Sequence, residues 1–560
     1  MIKSRKIIWA ILIGIILLSA ILRLWQLGNV PPSPDWDEVA LGYDAYAIIH
    51  TGRDSFGKFL PVVLRSFDDY KPALYAYLTI PSILIFGLNT FAVRLPSALF
   101  GIISVIAVFF LIREIFEKYK YRDYLSLLSS FLLAISPWST QFSRVGFESN
   151  VGTCLNILMV LFLIKGFKKP WMFSLSAFFA GLSIYAYQSE KVFTPLLALA
   201  VVIIFWKKLF AINKKYILAA FILGIIVVAP MALYILGNRA ALLRVTGTSV
   251  FSSQTELLKT NIKKLEQDKL NNDKIGSLLD NRRLVYGKTI ISGYISHFDL
   301  NWLFITGDIS RHHAPNMGLL YLFELPFVLS GIYKLIFGDF DKKTKLIIFS
   351  WFLIAPIPAS ITSGVPHAVR TLNFLPTFQI FTAIGIIGFF NLIKKSDIRF
   401  KNYDLRKLSY ILCLASFILI FIFNFVYYLN QYFVQQNYYD SADWQYGYKQ
   451  AVDEVNKLQS SYSQIIVSDR QPMDKSYMFF LFYLKYPPQN YQKVSEHSSG
   501  GYGASHFFDK YTFKPIDWEK DSVKKNVLFI GVPSEIPNRV PVIKIIHNLD
   551  GTEAIRIAGT

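Results

Sequence analysis

Residues 7–38 read IIWAILIGIILLSAILRLWQLGNVPPSPDWDE, and the change of character within this stretch decides the fold. From Ile7 to Leu27 the residues are almost all apolar, over about the length of helix that crosses a bilayer. The prolines at 31, 32 and 34 then favour extended backbone, and acidic residues follow at once. The stretch therefore predicts a membrane helix that leads into an acidic loop at one membrane surface.

Apolar runs of this kind recur along the chain, which is 53% hydrophobic. Eleven of them predict transmembrane crossings, near 7–27, 93–112, 124–142, 150–165, 171–187, 193–206, 216–236, 317–337, 346–362, 372–393 and 408–430. A further run, Ala73–Leu88, is assigned to the outer interface as an amphipathic or re-entrant helix. Counting it as a crossing would move every later basic loop to the opposite side. The predicted fold class is mainly α: a polytopic helical bundle of about 11 transmembrane helices with a small extracytoplasmic α/β domain.

The net charge of +20 supports this topology, because every second connection between the apolar runs is rich in Lys and Arg. Such connections face the cytoplasm, which predicts a multi-pass protein of the cell membrane with a cytoplasmic N-terminus. Residues 1–430 are then a transmembrane domain with outer loops at 28–92, 143–149 and 237–316. Residues 431–560 are predicted to be a separate soluble domain outside the membrane.

The C-terminal residues 431–560 contain 14 Lys and Arg against 14 Asp and Glu. A neutral extracytoplasmic domain is a poor ligand for nucleic acid, so no nucleic-acid partner is predicted. The runs Gln464–Val467 and Val527–Ile530 predict strands, and Met478–Tyr483 predicts a helix, which together indicate a small α/β fold. This region contains no glycine-rich phosphate loop.

The first outer loop carries the residues best suited to chemistry. Asp35 or Asp37 can cap a short helix, and both acids then have a structural explanation. Alternatively, Asp37 is a general base beside the bilayer, because an attacking hydroxyl or amine must lose a proton. Lys71, in the sequence Tyr70-Lys71-Pro72, either extends towards lipid headgroups or neutralises a bound phosphate.

Ionisable residues also lie in the other outer segments. Arg144 and Glu148 in the second outer loop form either a structural pair at helical spacing or part of a functional site. Glu324 lies inside a predicted crossing and needs a partner within the bundle.

Two later clusters, Gly307–His313 and Pro366–Thr371, combine arginine with histidine. Their side chains suit hydrogen bonding to a phosphate or pyrophosphate at the membrane surface, or anchoring of lipid headgroups. Adjacent histidines such as His312 and His313 do not share a helix face, so the pair predicts no metal site.

Together these motifs resemble the membrane glycosyltransferases of the protein O-mannosyltransferase and lipid A aminoarabinose transferase group, glycosyltransferase family 39-like enzymes with the GT-C fold. The resemblance rests on Asp37-Glu38, Lys71-Pro72, Arg94-Leu95-Pro96 and Glu148. It covers residues 1–200, and residues 300–380 more loosely, whereas the residues after about 431 resemble no named family. Members often carry Asp where this chain has Glu148, whose longer arm moves the carboxylate by about one methylene.

The resemblance implies an enzyme that transfers a hexosyl or pentosyl group from a polyprenyl- or dolichyl-phosphate donor to a protein, lipid or glycan acceptor, with inversion. Asp37 is the expected base or acceptor-orienting carboxylate, and cations such as Lys71, Arg311 or Arg370 are expected to hold the leaving phosphate. The predicted catalytic residues are Asp37, Glu38 and Glu148; the predicted substrate-binding residues are Tyr70, Lys71, Arg144, Arg311, His312, His367 and Arg370. Metal dependence varies within the fold, and neither a metal nor another cofactor is predicted.

Two other classes of function compete with this interpretation. A transporter or flippase of lipid-linked saccharides predicts broken helices and polar groups near the middle of the membrane. Apart from Glu324, the polar groups of this chain lie mainly at the outer rim. A non-catalytic assembly or receptor protein would leave the acidic first loop without a purpose. Convergence of Asp37, Lys71 and Glu148 in one outward-facing cavity would favour the transferase.

Overall fold

Every predicted apolar run contains α-helix in the computed structural model, which describes residues 5–67, 69–238, 249–251, 254–396, 403–495 and 506–560. The helices that fall on these runs are Arg5–Leu24, Thr90–Ile115, Arg122–Ile135, Pro137–Ser143, Glu148–Gly166, Met172–Ser183, Glu190–Phe210, Lys214–Gly237, Glu324–Phe337, Lys342–Ile354, Ile357–Ser360, Thr377–Ser396 and Tyr403–Asn430. Within the described residues, seven helical stretches are long and apolar enough to cross a membrane. The mainly α, multi-pass fold class is therefore confirmed.

Four of the predicted crossings contain shorter helices of 12 to 14 residues: Arg122–Ile135, Met172–Ser183, Glu324–Phe337 and Lys342–Ile354. At about 1.5 Å per residue these helices span roughly 20 Å, less than the hydrocarbon core of about 30 Å. The first of them ends because Ser136 is extended ahead of Pro137. The helix Leu74–Phe86, in the run assigned to the interface, is equally short at 13 residues. The number of eleven crossings thus remains a prediction.

Connections that are predicted to share the cytoplasmic side contact each other. Lys168 forms ion pairs of 2.8 Å with both Glu114 and Glu117, and Thr344 donates a hydrogen bond to the carbonyl of Ile115. The grouping of these loops is therefore consistent with the charge pattern, while the orientation in the membrane remains a prediction. Three residues of the basic connections, Lys3, Arg399 and Lys401, lie outside the described residues.

The chain divides into two units by the contacts among its residues, whereas the division predicted at residue 430 remains a prediction. The first unit comprises Met1–Ser19, Ile103–Ser139 and Ser149–Phe425. The second unit comprises Ala20–Ile102, Thr140–Glu148 and Val426–Thr560, and so combines the first outer loop with the C-terminal residues. The physical reason is that the helix Trp36–Thr51 of the first outer loop packs against the C-terminal helices Ser476–Leu484 and Pro488–Ser495.

Within the second unit, the first outer loop has its own secondary structure. The helix Trp36–Thr51 is followed by an antiparallel hairpin of β1 (Val63–Ser66) and β2 (Asp69–Pro72), and then by the helix Leu74–Phe86. Lys71 lies opposite Leu64 in this hairpin. The hairpin thus gives Lys71 a fixed register.

The C-terminal residues of the second unit form the predicted small α/β domain, and the two predicted strands and the helix are confirmed. Its strands are β3 (Gln464–Val467), β4 (His506–Phe508), β5 (Tyr511–Phe513), β6 (Val527–Gly531), β7 (Val542–His547) and β8 (Glu553–Gly559). They form one sheet of order β4-β5-β3-β6-β8-β7, in which β3 is parallel to both of its neighbours. The helices are Gln436–Tyr439, Tyr448–Leu458, Ser476–Leu484, Pro488–Ser495 and Trp518–Asp521. β3 and β6 are buried because both faces of central parallel strands are covered.

In the first unit, the segment predicted as a long outer loop contains three further helices, Gln254–Leu270, Lys274–Leu279 and Arg282–Ser296. The side chains of Asp273 and Asn281 cap the second and third of these helices by accepting hydrogen bonds from backbone N–H groups. The chain then continues through a 3-10 turn at Ser310–His312 and, after three more helices, reaches the segment that contains His367.

Candidate functional site

The N-terminus of the helix Trp36–Thr51 is fixed by a capping box. Asp35 accepts hydrogen bonds from the backbone N–H of Asp37 at 2.7 Å and of Glu38 at 3.1 Å. In return, the Glu38 carboxylate accepts from the backbone N–H of Asp35 at 3.0 Å. Of the two acids that could cap this helix, Asp35 is the one that does so, and Asp37 is left in the first turn with its carboxylate available for another partner.

That partner is Lys71, whose Nζ forms an ion pair with Asp37 Oδ1. The Asp37 side chain is 28% exposed, whereas the Lys71 side chain is only 6% exposed. The ammonium is therefore held inside the loop by the β1–β2 hairpin, and the carboxylate faces outwards. Two residues that the sequence singled out, 34 positions apart in the chain, thus meet in one charged pair with an accessible acid.

Glu38, the neighbour of Asp37, has a different environment. Its carboxylate is fully buried and pairs with Arg94, with Nε–Oε1 at 2.8 Å and Nη2–Oε2 at 3.0 Å. Glu38 also accepts a hydrogen bond of 2.8 Å from the backbone N–H of Gly146. The bidentate pair joins the first outer loop to the start of the helix Thr90–Ile115, which gives the Arg-Leu-Pro motif a structural role, and the Gly146 contact joins the first outer loop to the second.

Arg94 and Arg144 both bind main-chain carbonyls around the first outer loop. Arg94 donates to the carbonyls of Leu27, Pro31 and Ser33, and Arg144 donates to those of Leu22 and Val30. Both guanidinium groups are fully buried. The contacts of Arg144 therefore favour a role in positioning the loop over direct contact with a substrate.

Glu148 begins the helix Glu148–Gly166 and is 4% exposed. It lies two residues after Gly146, whose N–H binds Glu38. The structure thus places Glu148 in the loop that Glu38 binds, while Asp37 and Lys71 are in direct contact.

Asp44 was not singled out from the sequence, although it lies two helical turns after Asp37 on the same face. It is buried and accepts a hydrogen bond of 3.0 Å from the backbone N–H of Ser55. Burial, followed by the negative charge of Asp54, raises the pKa of Asp44 to about 7, while the charge of Lys71 opposes this shift. The i, i+7 spacing of two acids was the sequence signal that could have identified it.

The C-terminal domain contributes residues beside Asp37. Lys475 Nζ lies 3.7 Å from the ring centroid of Trp36, and Gln445 Oε1 accepts a hydrogen bond of 3.1 Å from the backbone N–H of Trp36. Ser33 donates to the carbonyl of Gln445 at 3.4 Å. Sequence reasoning missed these contacts because the C-terminal residues resembled no known family and contain no recognisable motif.

In the first unit, the two Arg- and His-containing clusters come together around Asp308. Its Oδ2 accepts a hydrogen bond from His312 Nδ1 at 2.9 Å and from the backbone N–H of Ala368 at 2.7 Å. The rings of His312 and His367 have centroids 5.1 Å apart. His297 accepts a hydrogen bond of 3.2 Å from the backbone N–H of His367. The sequence predicted His312 and His367 as separate substrate ligands and did not single out Asp308 or His297.

The charge state of this histidine cluster follows from burial and from these contacts. Burial lowers the pKa of His312, although its hydrogen bond to Asp308 opposes the shift. Burial opposes the charged form of Asp308 as well, but the hydrogen bond from His312 and the neighbouring histidines outweigh it and lower its pKa to about 2. The carboxylate is therefore ionised at neutral pH.

Arg370 donates hydrogen bonds of 2.6 Å to the Thr362 hydroxyl and to the Ser363 carbonyl. Arg311 is half-buried beside His312 in the 3-10 turn. Lys71 belongs to the second unit and these arginines to the first, so their predicted meeting at one phosphate remains a prediction.

Two buried acids of the first unit each begin an apolar helix, Glu190–Phe210 and Glu324–Phe337. Glu190 accepts a hydrogen bond from Asn373 at 2.7 Å and is also bound by Asn156. Glu324 is fully buried, and neither of its carboxylate oxygens has a hydrogen-bond partner within the described part of the chain. The partner that the sequence led us to expect for Glu324 is thus not seen among these residues.

Comparison with known proteins finds a matching family model and a related protein. A family model described as dolichyl-phosphate-mannose-protein mannosyltransferase matches residues 70–234. A Bacillus subtilis (strain 168) protein described as "Putative mannosyltransferase YkcB" is 29% identical over 190 residues, which are 32% of this chain and 24% of that protein. The match thus spans about a quarter of the length of this relative.

Three solved structures, of two proteins, have a similar fold. ArnT from Cupriavidus metallidurans matches with a TM-score of 0.54 in the apo state, at 10% identity and over 100% of both chains. The same protein bound to undecaprenyl phosphate matches with a TM-score of 0.52, at 10% identity and over 99% of both chains. The oligosaccharyltransferase AglB from Archaeoglobus fulgidus, in complex with an inhibitory peptide and a dolichol-phosphate, matches with a TM-score of 0.50 and 11% identity over 94% of this chain and 69% of that chain.

These matches define the class of protein: the chain has the fold of the GT-C membrane glycosyltransferases. More particularly, it resembles the protein O-mannosyltransferase and aminoarabinose transferase group, as the motifs of the first outer loop predicted.

Proposed function

We propose that this chain is a glycosyltransferase that moves a sugar from a polyprenyl- or dolichyl-phosphate donor to an acceptor at the outer membrane surface, with inversion. The observation that carries the proposal is the Asp37–Lys71 pair, an accessible carboxylate held beside a buried ammonium on the first outer loop. The family match, which begins at residue 70, and the whole-chain likeness to ArnT support it.

The reaction is a single displacement in which Asp37 serves as the base. The acceptor oxygen or nitrogen attacks the anomeric carbon and gives its proton to Asp37. The bond between this carbon and the phosphate oxygen breaks, and the lipid phosphate leaves with the electron pair. Attack from the face opposite the leaving group inverts the anomeric centre, and no covalent enzyme intermediate forms.

Lys71 has two roles in this proposal. Its ammonium keeps Asp37 ionised until the acceptor proton arrives, because a neighbouring cation stabilises a carboxylate. It also offers a compact positive charge to the phosphate that becomes more negative as the sugar leaves. Tyr70, the preceding residue in β2, lies at the partly exposed edge of the hairpin and is a candidate donor-binding residue.

Glu38 and Glu148 act on the geometry of this site and not as second bases. Both Glu38 oxygens bind Arg94, which leaves this carboxylate no free access to an acceptor. We assign Glu38 to positioning of Asp37 through the shared helix turn, and Glu148 to the adjoining loop. Arg311, His312, His367 and Arg370 remain candidate ligands of the donor phosphate, as the resemblance implies.

The direct test incubates membrane fractions containing the protein with radiolabelled sugars on polyprenyl phosphate and identifies the labelled products. We expect label to move from lipid phosphate to a second molecule with the wild-type chain and not with the Asp37→Asn chain. Equal transfer by both chains would contradict the assignment of Asp37. Movement of the intact donor across vesicles without any product would instead support the flippase.

The proposed orientation has its own test. Tyr439 is 60% exposed in the C-terminal half of the second unit, and Cys154 and Cys413 are not paired in a disulfide. With both native cysteines replaced by alanine, a Tyr439→Cys chain should react with a membrane-impermeant thiol reagent in intact cells or spheroplasts. Labelling only after lysis would place the C-terminal residues in the cytoplasm and restore Ala73–Leu88 as a crossing.

A further inference from the structure

The histidine cluster of the first unit has the composition of a metal site. Asp308, His312 and His367 each offer one ligand atom, and these three atoms lie within 4.8 Å of one another. The residues come from two segments that are separated by 59 positions between Asp308 and His367. The grouping differs from the adjacent pair His312–His313, which predicted no metal site. The fold combines His312 with a carboxylate and a distant histidine instead.

An unsatisfied nitrogen gives a second, independent indication of a ligand. His367 Nδ1 is buried and has no hydrogen-bond partner within the described residues. A buried ring nitrogen without a partner is unusual, since interiors normally satisfy such groups. The ring itself is held in place, because the His367 backbone N–H binds His297 and the Thr371 hydroxyl binds the His367 carbonyl. His367 is thus fixed in the cluster, with one of its ring nitrogens within 4.8 Å of the ligand atoms of Asp308 and His312.

The ligand set indicates which ion would bind. Two imidazoles and one carboxylate are ligands typical of zinc, which binds nitrogen and oxygen at about 2.0–2.2 Å in a tetrahedral geometry. Ligand atoms around such an ion are about 3.3 Å apart, close to the 2.9 Å between Asp308 Oδ2 and His312 Nδ1. Hard ions such as Mg²⁺ prefer oxygen ligands and suit this set poorly.

We propose that Asp308, His312 and His367 form a site for one divalent transition-metal ion, with zinc as the best-suited ion. The ion replaces the proton shared by Asp308 and His312 and takes a ring nitrogen of His367 as its third ligand. It ties the 3-10 turn Ser310–His312 to the segment that follows the helix Ile357–Ser360. Three protein ligands leave the fourth tetrahedral position to a water molecule. The site does not depend on the proposed transferase activity.

The test measures metal content in full-length protein purified in detergent, after removal of any histidine tag, treatment with a chelator and dialysis against Zn²⁺. We expect about one zinc per wild-type chain by mass spectrometry of the metal. The His367→Asn chain should bind no zinc. Because His367 Nδ1 has no hydrogen-bond partner among the described residues, its removal breaks no hydrogen bond and the variant should fold. His312→Ala should also lose the zinc, whereas His313→Ala, a neighbour outside the ligand set, should retain it.

Thermal unfolding supplies a readout that is independent of stoichiometry. A ligand that binds only the folded state raises the Tm, so Zn²⁺ should raise the Tm of wild type and of His313→Ala but not that of His367→Asn. Mg²⁺ at the same concentration should leave all three unchanged. Zinc content and Tm response that are equal in wild type and His367→Asn, or the lack of both in wild type, would overturn the site.

Discussion

Asp37 and Glu38 are adjacent acids, each paired with a cation, and yet they lie in two different regions of the second unit. The Asp37–Lys71 pair reaches the surface through its acid, with 28% of the Asp37 side chain and 6% of the Lys71 side chain exposed. The Glu38–Arg94 pair is in the interior, with neither side chain exposed. Consecutive residues of a helix point in different directions, so one helix turn supplies both pairs. The difference shows that burial, and not residue type, separates the acid that can reach a substrate from the acid that holds the loop.

The physical consequences of the two pairs are opposite. When one partner of a fully hydrogen-bonded buried ion pair is removed, the folded protein loses several kcal/mol of stability, because the other charge stays buried. A partly exposed pair contributes little to stability, since water screens its charges. Substitution should therefore affect folding in the interior pair and turnover in the surface pair.

The largest effect is expected for Glu38→Gln. This change leaves the Arg94 guanidinium buried without its counter-charge and should destabilise the protein by about 3–5 kcal/mol. The measurement is thermal or denaturant unfolding of the detergent-purified chain. The double variant Glu38→Gln, Arg94→Met, which removes the buried charge as well, should recover part of the loss. Unchanged stability of the single variant would show that the interior pair is not what holds the loop.

Asp37→Asn should have the next largest effect, on turnover and not on folding. The change keeps the shape of the side chain and removes the base, which lowers kcat by about 100-fold, or roughly 2.7 kcal/mol. Asp35→Asn is the matched comparison, because Asp35 is buried and caps the helix; it should lower the turnover much less. A well-folded Asp37→Asn enzyme with near-normal kcat would contradict the assignment of Asp37 and transfer the role of base to another acid, with Glu148 as the first candidate.

The sequence predicted the difference between the two ion pairs only in part. The importance of Asp37, Glu38, Lys71 and Glu148 followed from a motif resemblance, and the Asp37–Lys71 contact agrees with it. The sequence assigned Glu38 to the catalytic residues because nothing in it distinguishes a buried acid from an exposed one. The helical period places the two acids on different faces, but the partner Arg94 is 56 positions away, and such a pairing depends on the tertiary fold.

Asp44→Asn should change how stability depends on pH. Because the folded-state pKa of Asp44 is raised to about 7 by burial and by the charge of Asp54, the folded protein binds a proton that the unfolded chain releases near its ordinary pKa. The resulting stability is present at low pH and is lost as the pH rises through 7. The variant, which retains an acceptor for the Ser55 N–H, should therefore gain about 2 kcal/mol over wild type between pH 5 and pH 8.

Unfolding curves of wild type and Asp44→Asn at the two pH values measure this difference. Asp453→Asn, at an exposed position of the same unit, is the control and should follow the wild-type curves. A difference between wild type and Asp44→Asn that is the same at both pH values would mean that Asp44 is already ionised at pH 5. The charge of Lys71 would then dominate over burial.

Lys71→Met tests the cation of the surface pair. The change keeps the length of the side chain and removes the charge, so the apparent KM for the lipid-phosphate donor should rise by about 10-fold, or roughly 1.4 kcal/mol. Lys525→Met, at an exposed position of the C-terminal domain, should leave the KM unchanged. If Lys71→Met lowers the kcat alone, Lys71 serves to keep Asp37 ionised and does not bind the donor phosphate.

The remaining features were beyond the sequence for physical reasons. The Asp308–His312–His367 grouping joins residues from two segments, and only the spacing of Asp308 and His312 by one helical turn was visible in advance. The role of the C-terminal domain at the first outer loop could not be predicted, because contacts such as Lys475 with Trp36 leave no periodic or motif signal. Strands and helices of the same domain were predictable, since their patterns are local.

The smallest effect is expected for Lys475→Met, which tests whether the C-terminal domain supports the surface pair. Lys475 Nζ lies over the ring of Trp36, the residue before Asp37, and only 10% of its side chain is exposed. A partly desolvated cation over an indole contributes about 0.5–2 kcal/mol, and part of this holds the first helix turn in place. Loss of the charge should therefore lower kcat by about 2- to 5-fold without a change in KM for the donor. Lys485→Met is a close control, because Lys485 ends the same helix, has the same left-handed backbone and is exposed. Equal activity of both variants would mean that the domain contacts the loop without contributing to the reaction, and the function of residues 431–560 would then have to be sought in recognition of the acceptor.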